Sequence, residues 1–166
     1  DLYLATLAIP RLHVDVGTAL RESIRCFRHE LYTAALAMLG KASEGAWLDL
    51  AAALLEFAAP TAGTKYAKQQ ATLDDPMQGP QKKIEAVLTI FQHQEDFGVL
   101  ASKAGIRLAD LRAAAAWSDT VRDSRNTLHF GVSPDTPNTY EKVTVLLLAS
   151  VPNIRLLYQL KAATGP

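Results

Sequence analysis

Apolar residues recur along this chain at three- and four-residue spacing, the period of helices with one face turned inward. Leu20, Ile24, Phe27 and Leu31 form such a stripe and predict a helix over residues 15–30, with Asp15 placed to cap its start. A longer seam runs through Leu36, Leu39, Ser43, Trp47, Leu50, Leu54 and Phe57, which predicts a helix over 32–58 with the pattern of a bundle. Ile84, Val87, Leu88 and Phe91 predict a third helix over 81–94, and Trp117, Val121 and Leu128 anchor a fourth from Leu108 to about His129. Asn138 or Thr139 is placed to cap a last helix, which Pro152 should kink or whose start it should shift.

No segment alternates with period two, so the predicted fold is all-α: an antiparallel bundle of four to five helices in one domain spanning 1–166. Residues 1–13 read as an N-terminal extension. Residues 59–80, which collect Pro60, Gly63, Pro76, Gly79 and Pro80, read as the longest loop. Gly40 and Gly45 lie inside the second helix, where each costs about 1 kcal/mol relative to Ala. They predict close approach by another helix, or else a break near Gly40.

Composition changes this picture little, but it narrows the function. An apolar share of 49% fills one core, and 17 basic against 17 acidic side chains give no net charge. Bulk attraction to nucleic acid or to an anionic membrane is therefore absent, and any nucleic-acid contact must be local. Cys26 has no cysteine to pair with and reads as a small core filler, which fits a reducing, cytoplasmic setting. The apolar windows at 46–59 and 143–151 are interrupted by Asp49 and Glu56 or are too short, so no membrane partner is expected. No signal-peptide pattern is visible, and a start at Asp1 rather than Met is what a segment cut from a longer protein would show.

Several chemistries find no support. "GKAS" at 40–43 lacks the earlier glycine of a phosphate-binding loop, since Ala35 stands there. The histidines at 13, 29, 93 and 129 form no ligand-spaced pair, and no dinucleotide fingerprint or nucleophile elbow occurs, so neither a metal nor a cofactor is expected. Arg21, Arg25 and Arg28 line one face of the first helix, but Glu22 and Glu30 beside them make a solvated face the simpler reading.

The stretch "VRDSRNTLHFG" at 121–131 is different. On a helix, Arg122, Arg125, Asn126 and His129 fall along one stripe, while Trp117, Val121 and Leu128 lie on another that can hold the helix to the core. Histidine moves protons near neutral pH and guanidinium groups bind phosphate and its transition-state charge, so the set suits phosphodiester cleavage without a metal. Asn126 can orient the imidazole or a phosphate oxygen. The same residues also allow a plainer arrangement, in which the arginines pair with Asp119 and Asp123 and His129 sits in a last helical turn where the dipole favours a cation.

An arginine followed a few residues later by a histidine, near the end of a late helix in a small all-α bundle, resembles the HEPN superfamily (higher eukaryotes and prokaryotes nucleotide-binding domains). Arg122 precedes His129 by six intervening residues, and Arg125-Asn126 is similar to the family's frequent Arg-polar pair. The segment 19–53 resembles the first helix pair of such proteins, with Glu44 as the acid of the second helix; the likeness spans about 14–162. One toxin subgroup has tyrosine two residues after the histidine, where this chain has Gly131.

The resemblance implies a HEPN-like fold and a metal-independent endoribonuclease of a defence or toxin–antitoxin system. His129 would be the acid/base, Arg122 and Arg125 the phosphate binders, Asn126 the orienter, and Glu44 and Asp123 supporting residues. It further implies a homodimer, RNA or a nucleotide as ligand, and a partner protein or antitoxin. The alternative that it leaves open is a non-catalytic module for nucleotide or protein binding.

Overall fold

The computed structural model of the chain describes residues 2–125 and 137–165. Its elements are α1 (Leu2–Leu7), α2 (Val14–Arg28), α3 (Tyr32–Ala62), α4 (Ala67–Asp74), α5 (Pro80–Phe91), α6 (Gln94–Ala104), α7 (Leu108–Arg125) and α8 (Tyr140–Ala163). No strand occurs among the described residues, and the fold is all-α. The five predicted helices correspond to α2, α3, α5, α7 and α8. The count of four to five is too low because α1, α4 and α6 are short helices that bury only a few side chains each. The chain forms two compact units: residues 1–45 with 116–155, and residues 46–115 with 156–166.

In the first unit, α2 buries Leu20 and Ile24 as its spacing predicts, and Ser23 Oγ donates to Ala35 O of α3 at 2.7 Å. α3 continues unbroken through Gly40 and Gly45; Gly45 marks a close approach, and at Gly40 a β-carbon would meet α7 at ordinary contact distance. A β-carbon on Gly45 would lie 3.0 Å from Val16 Cγ2 of α2. Ser43, the one polar member of the predicted seam, donates to Ser118 Oγ of α7 at 2.8 Å, so its burial costs no unsatisfied hydroxyl.

Two expectations in this unit are corrected. The cap of α2 is His13, whose Nδ1 accepts from Asp15 N at 3.2 Å, and Asp15 lies in the first turn because the helix begins one residue earlier than predicted. Leu31 is 56% exposed rather than part of the stripe. The helix stops at Arg28 and Glu30 turns the chain at φ 59, which takes Leu31 out of helical phase. Within residues 1–13, Leu2–Leu7 is helical, and Arg155 Nε of α8 donates to Leu7 O at 3.2 Å.

α8 begins where the sequence indicates, with Thr139 Oγ1 accepting from Lys142 N at 3.3 Å, so Pro152 does not shift its start. Pro152 is carried inside the helix. Both Pro152 and Leu148 are exposed, so the carbonyl that loses its donor lies on the wet side. By length and composition α8 could cross a membrane, and 44% of its apolar window is buried inside the protein.

The second unit buries Trp47, Leu50 and Leu54 of α3 against a core that includes Val87, Ile90, Phe91, Phe97, Leu100 and Leu111. Phe57 closes the predicted seam at 37% exposure, with its ring centroid 6.1 Å from that of Phe97. The loop expected over 59–80 is largely helical. Pro60 sits in the last turn of α3, where its missing N–H removes a single bond, and α4 packs on α5.

The start of α6 is tied by charge to the turn between α3 and α4. Lys65 Nζ lies 2.7 Å from Glu95 Oε1 and 2.6 Å from Asp96 Oδ2, and the buried Tyr66 hydroxyl donates to Asp96. Hydrogen bonding from Lys65 holds the Glu95 carboxyl down at about 2, and burial with the Asp96 bond pushes the Tyr66 hydroxyl up to about 12.

Two predictions follow from these contacts. Gly45→Leu should destabilise the chain by about 1–3 kcal/mol through overpacking against Val16, and adding Val16→Ala should recover part of the loss in urea unfolding. An unchanged unfolding midpoint in Gly45→Leu would contradict the close approach. The second concerns acid. A carboxyl whose folded pKa is depressed from 4.5 to about 2 stabilises the fold fully above pH 4.5, and that contribution is lost as pH falls toward 2. Melting temperatures of Glu95→Gln should therefore decline less steeply than wild type across that window.

Candidate functional site

The end of α7 is built from its buried face outward. Trp117 and Val121 are buried as predicted, and Trp117 Nε1 donates to Leu146 O of α8 at 3.3 Å. Ser118 meets Ser43 of α3. These contacts fix the rotation of the helix, so Asp119, Arg122 and Asp123 fall on its outer side with Arg125 at its edge against α3.

The two arginines have different surroundings. Arg122 is enclosed by carboxylates: Nη1 lies 3.0 Å from Asp119 Oδ1, and Nη2 and Nε donate to Asp123 Oδ1 at 2.9 and 3.2 Å. Its side chain is 22% exposed, which strengthens these pairs relative to fully wet ones. Arg125 lies along α3. A β-carbon on Gly40 would sit 3.5 Å from both its Cδ and its Nη1, and 3.7 Å from Val121 Cγ1. The stem of Arg125 thus occupies the space that a side chain at position 40 would fill. Among the described residues no carboxylate pairs with it.

Sequence reasoning located these groups unequally. The plainer surface arrangement is realised for Arg122, which takes both Asp119 and Asp123, but not for Arg125. Glu44 is half-buried on α3, and among the described residues no ion pair joins it to either arginine; the acids that hold Arg122 come from its own helix instead. Asn126 and His129, together with Leu128 and Gly131, lie outside the described residues.

Asn138 was expected only as an alternative helix cap, and its side chain does other work. Its Nδ2 donates to Ser124 O at the end of α7 at 3.1 Å and to Thr33 Oγ1 at the start of α3 at 3.3 Å. It therefore clamps the last turn of α7 to α3 beside Arg125. The sequence signal was an asparagine next to a good capping threonine, a pair in which only one residue is needed for the cap.

No protein-family model, curated protein or solved structure matches this chain.

Asn138→Ala should cost about 1–2 kcal/mol, the scale of two lost hydrogen bonds, and should speed amide exchange in the last turn of α7 more than in α5. Uniform exchange changes along the chain would show that Asn138 does not act locally.

Proposed function

We propose that this chain is a HEPN-like, metal-independent endoribonuclease domain in which Arg125 is the phosphate-binding arginine. The observation that supports this reading most is the division between the arginines. Arg122 already has two carboxylate partners, whereas Arg125 is laid over Gly40 with its guanidinium unpaired among the described residues. A planar guanidinium held by its stem is pre-organised for a phosphate oxygen, because little side-chain freedom remains to be lost on binding. In the chain, Arg125 is followed at once by Asn126 and four positions on by His129.

The RNA 2′-hydroxyl loses its proton and attacks the adjacent phosphorus while the P–O5′ bond breaks, leaving a 2′,3′-cyclic phosphate on one product and a protonated 5′-hydroxyl on the other. His129 removes or delivers the proton, Arg125 stabilises charge on the non-bridging oxygens, and Asn126 orients the group that it touches. Arg122, held by Asp119 and Asp123, is a positioning residue for this end of α7. One histidine and one free arginine make half of a composite site, so a two-fold homodimer completes it. The setting proposed is cytoplasmic, in a defence or toxin–antitoxin system where a partner protein restrains the activity.

A second reading, a non-catalytic nucleotide- or protein-binding module, is favoured by the same ion pairs. Asp119 and Asp123 cancel much of the positive charge that a nuclease would use.

Incubation of single-stranded RNA with wild type and variants separates the two. His129→Ala should abolish cleavage with the melting temperature nearly unchanged. Arg125→Ala should slow it about a hundredfold to a thousandfold, the scale of losing one transition-state donor, and chelators should have no effect. Arg122→Ala should cost less than about tenfold, as for a residue acting through its ion pairs. Wild type that leaves every RNA substrate intact would favour the binding module, and a larger loss at Arg122 than at Arg125 would reverse their roles.

A further inference from the structure

Where α8 belongs to the first unit, it leaves an apolar stripe uncovered. Val145 and Leu148 are 63% and 65% exposed, and Pro152 beyond them is exposed as well. Counted from Leu148, Val145 lies three positions back and Pro152 four positions on, one turn to either side, so the three share one face. The opposite face of the same turns is buried through Val143, Leu147 and Ile154, so the exposure is not that of a loose helix end. Single exposed apolar residues are ordinary; a contiguous stripe points to a partner.

Opposite charges bound the stripe at equal distances. Glu141 lies seven residues before Leu148 and Arg155 seven after, both exposed, about 10 Å to either side. Among the described residues neither is in an ion pair. Arg155 Nε and Nη2 donate to the Leu7 and Thr6 carbonyls of α1, which holds the guanidinium at this end without neutralising it. A stripe with this symmetry matches a copy of itself turned end for end. Two-fold rotation about an axis that crosses the helix at Leu148 puts Leu148 on Leu148, Val145 on Pro152 and Glu141 on Arg155 at both ends. Running parallel, two copies would set like charge against like charge.

We infer that α8 packs antiparallel on α8 of a second copy of this chain, with Leu148 at the two-fold axis. The inference does not depend on the ribonuclease reading. Asn138 ties the end of α7 to the residues just before α8, and antiparallel pairing sets the two α8 starts on the order of 20 Å apart. This contact is therefore a different two-fold from the one that would complete a composite site. Val145, Leu148 and Pro152 cover less than the about 800 Å² per partner of a standard interface, and the Leu148 carbonyl that Pro152 leaves without a donor loses water on burial. The association is accordingly weak and reversible.

The test is disulfide trapping in a Cys26→Ala background, since Cys26 is the one native thiol. Under a mild oxidant Leu148→Cys should cross-link to itself at least about tenfold faster than Ala52→Cys, an exposed control position in the second unit, because pairing raises the local thiol concentration. Val145→Cys mixed with Pro152→Cys should cross-link more than either does alone. In sedimentation velocity, Glu141→Arg should weaken self-association about tenfold, because symmetry changes both ends at once, and adding Arg155→Glu should restore it. Arg155 also holds α1, so the cross-linking decides the matter if Arg155→Glu fails to fold.

Leu148→Cys that cross-links no faster than Ala52→Cys overturns the pairing, whatever the mass in solution. A monomer that instead floats with phosphatidylcholine vesicles also overturns it and gives the face to a lipid surface. A folded double variant that associates as weakly as Glu141→Arg overturns the antiparallel register.

Discussion

The small residue at Gly40 is the packing constraint on which the seating of Arg125 depends. It leaves a space on α3 into which the stem of Arg125 and a methyl of Val121 fit, with a hypothetical β-carbon only 3.5 to 3.7 Å from both. At that spacing a methyl group would just be accommodated, whereas any longer side chain would displace the arginine. With Arg125 committed to α3, the outer side of α7 is left to Arg122, and the acids at −3 and +1 close on it. Two chemically identical residues on one helix thus have different surroundings, one lying over Gly40 and the other held by two acids.

The same principle recurs along α3. Gly45 meets Val16, and Ser43 meets Ser118, so the helix offers small residues wherever α2 or α7 comes close. Glycine inside a helix costs about 1 kcal/mol of propensity. Close packing of the neighbouring helices offsets that loss, because dispersion contacts summed over a well-fitted interface exceed it. Rotation about the α7 axis is then fixed by buried groups, Trp117 to Leu146 O and Ser118 to Ser43, rather than by the surface charges.

The long helices were legible because each repeats its apolar stripe over several turns, as Ile84, Val87, Leu88 and Phe91 do. α6 was missed because Phe97, Leu100 and Ala104 are its only buried residues, although its Glu95 and Asp96 at the start and Gly105 at the stop are legible boundary signals. Leu31 kept the right spacing but lost its helix to the turn at Glu30. In the site, both arginines and both acids could be read from the sequence, and so could the glycine. Which arginine would be taken by the acids could not, because that is decided by a contact between α3 and α7. The work of Asn138 likewise joins residues far apart in the chain and leaves no local pattern.

Under the proposed function, packing on Gly40 makes Arg125, rather than Arg122, the anion-binding arginine. The most direct measurement is an NMR titration of the arginine Nε–Hε resonances, assigned through single Arg→Lys variants, with a mononucleotide 2′,3′-cyclic phosphate. A saturable shift of the Arg125 resonance is expected with that of Arg122 nearly still, and loss of the shift in Gly40→Leu. A shift confined to Arg122, with Arg125 unmoved, would contradict it.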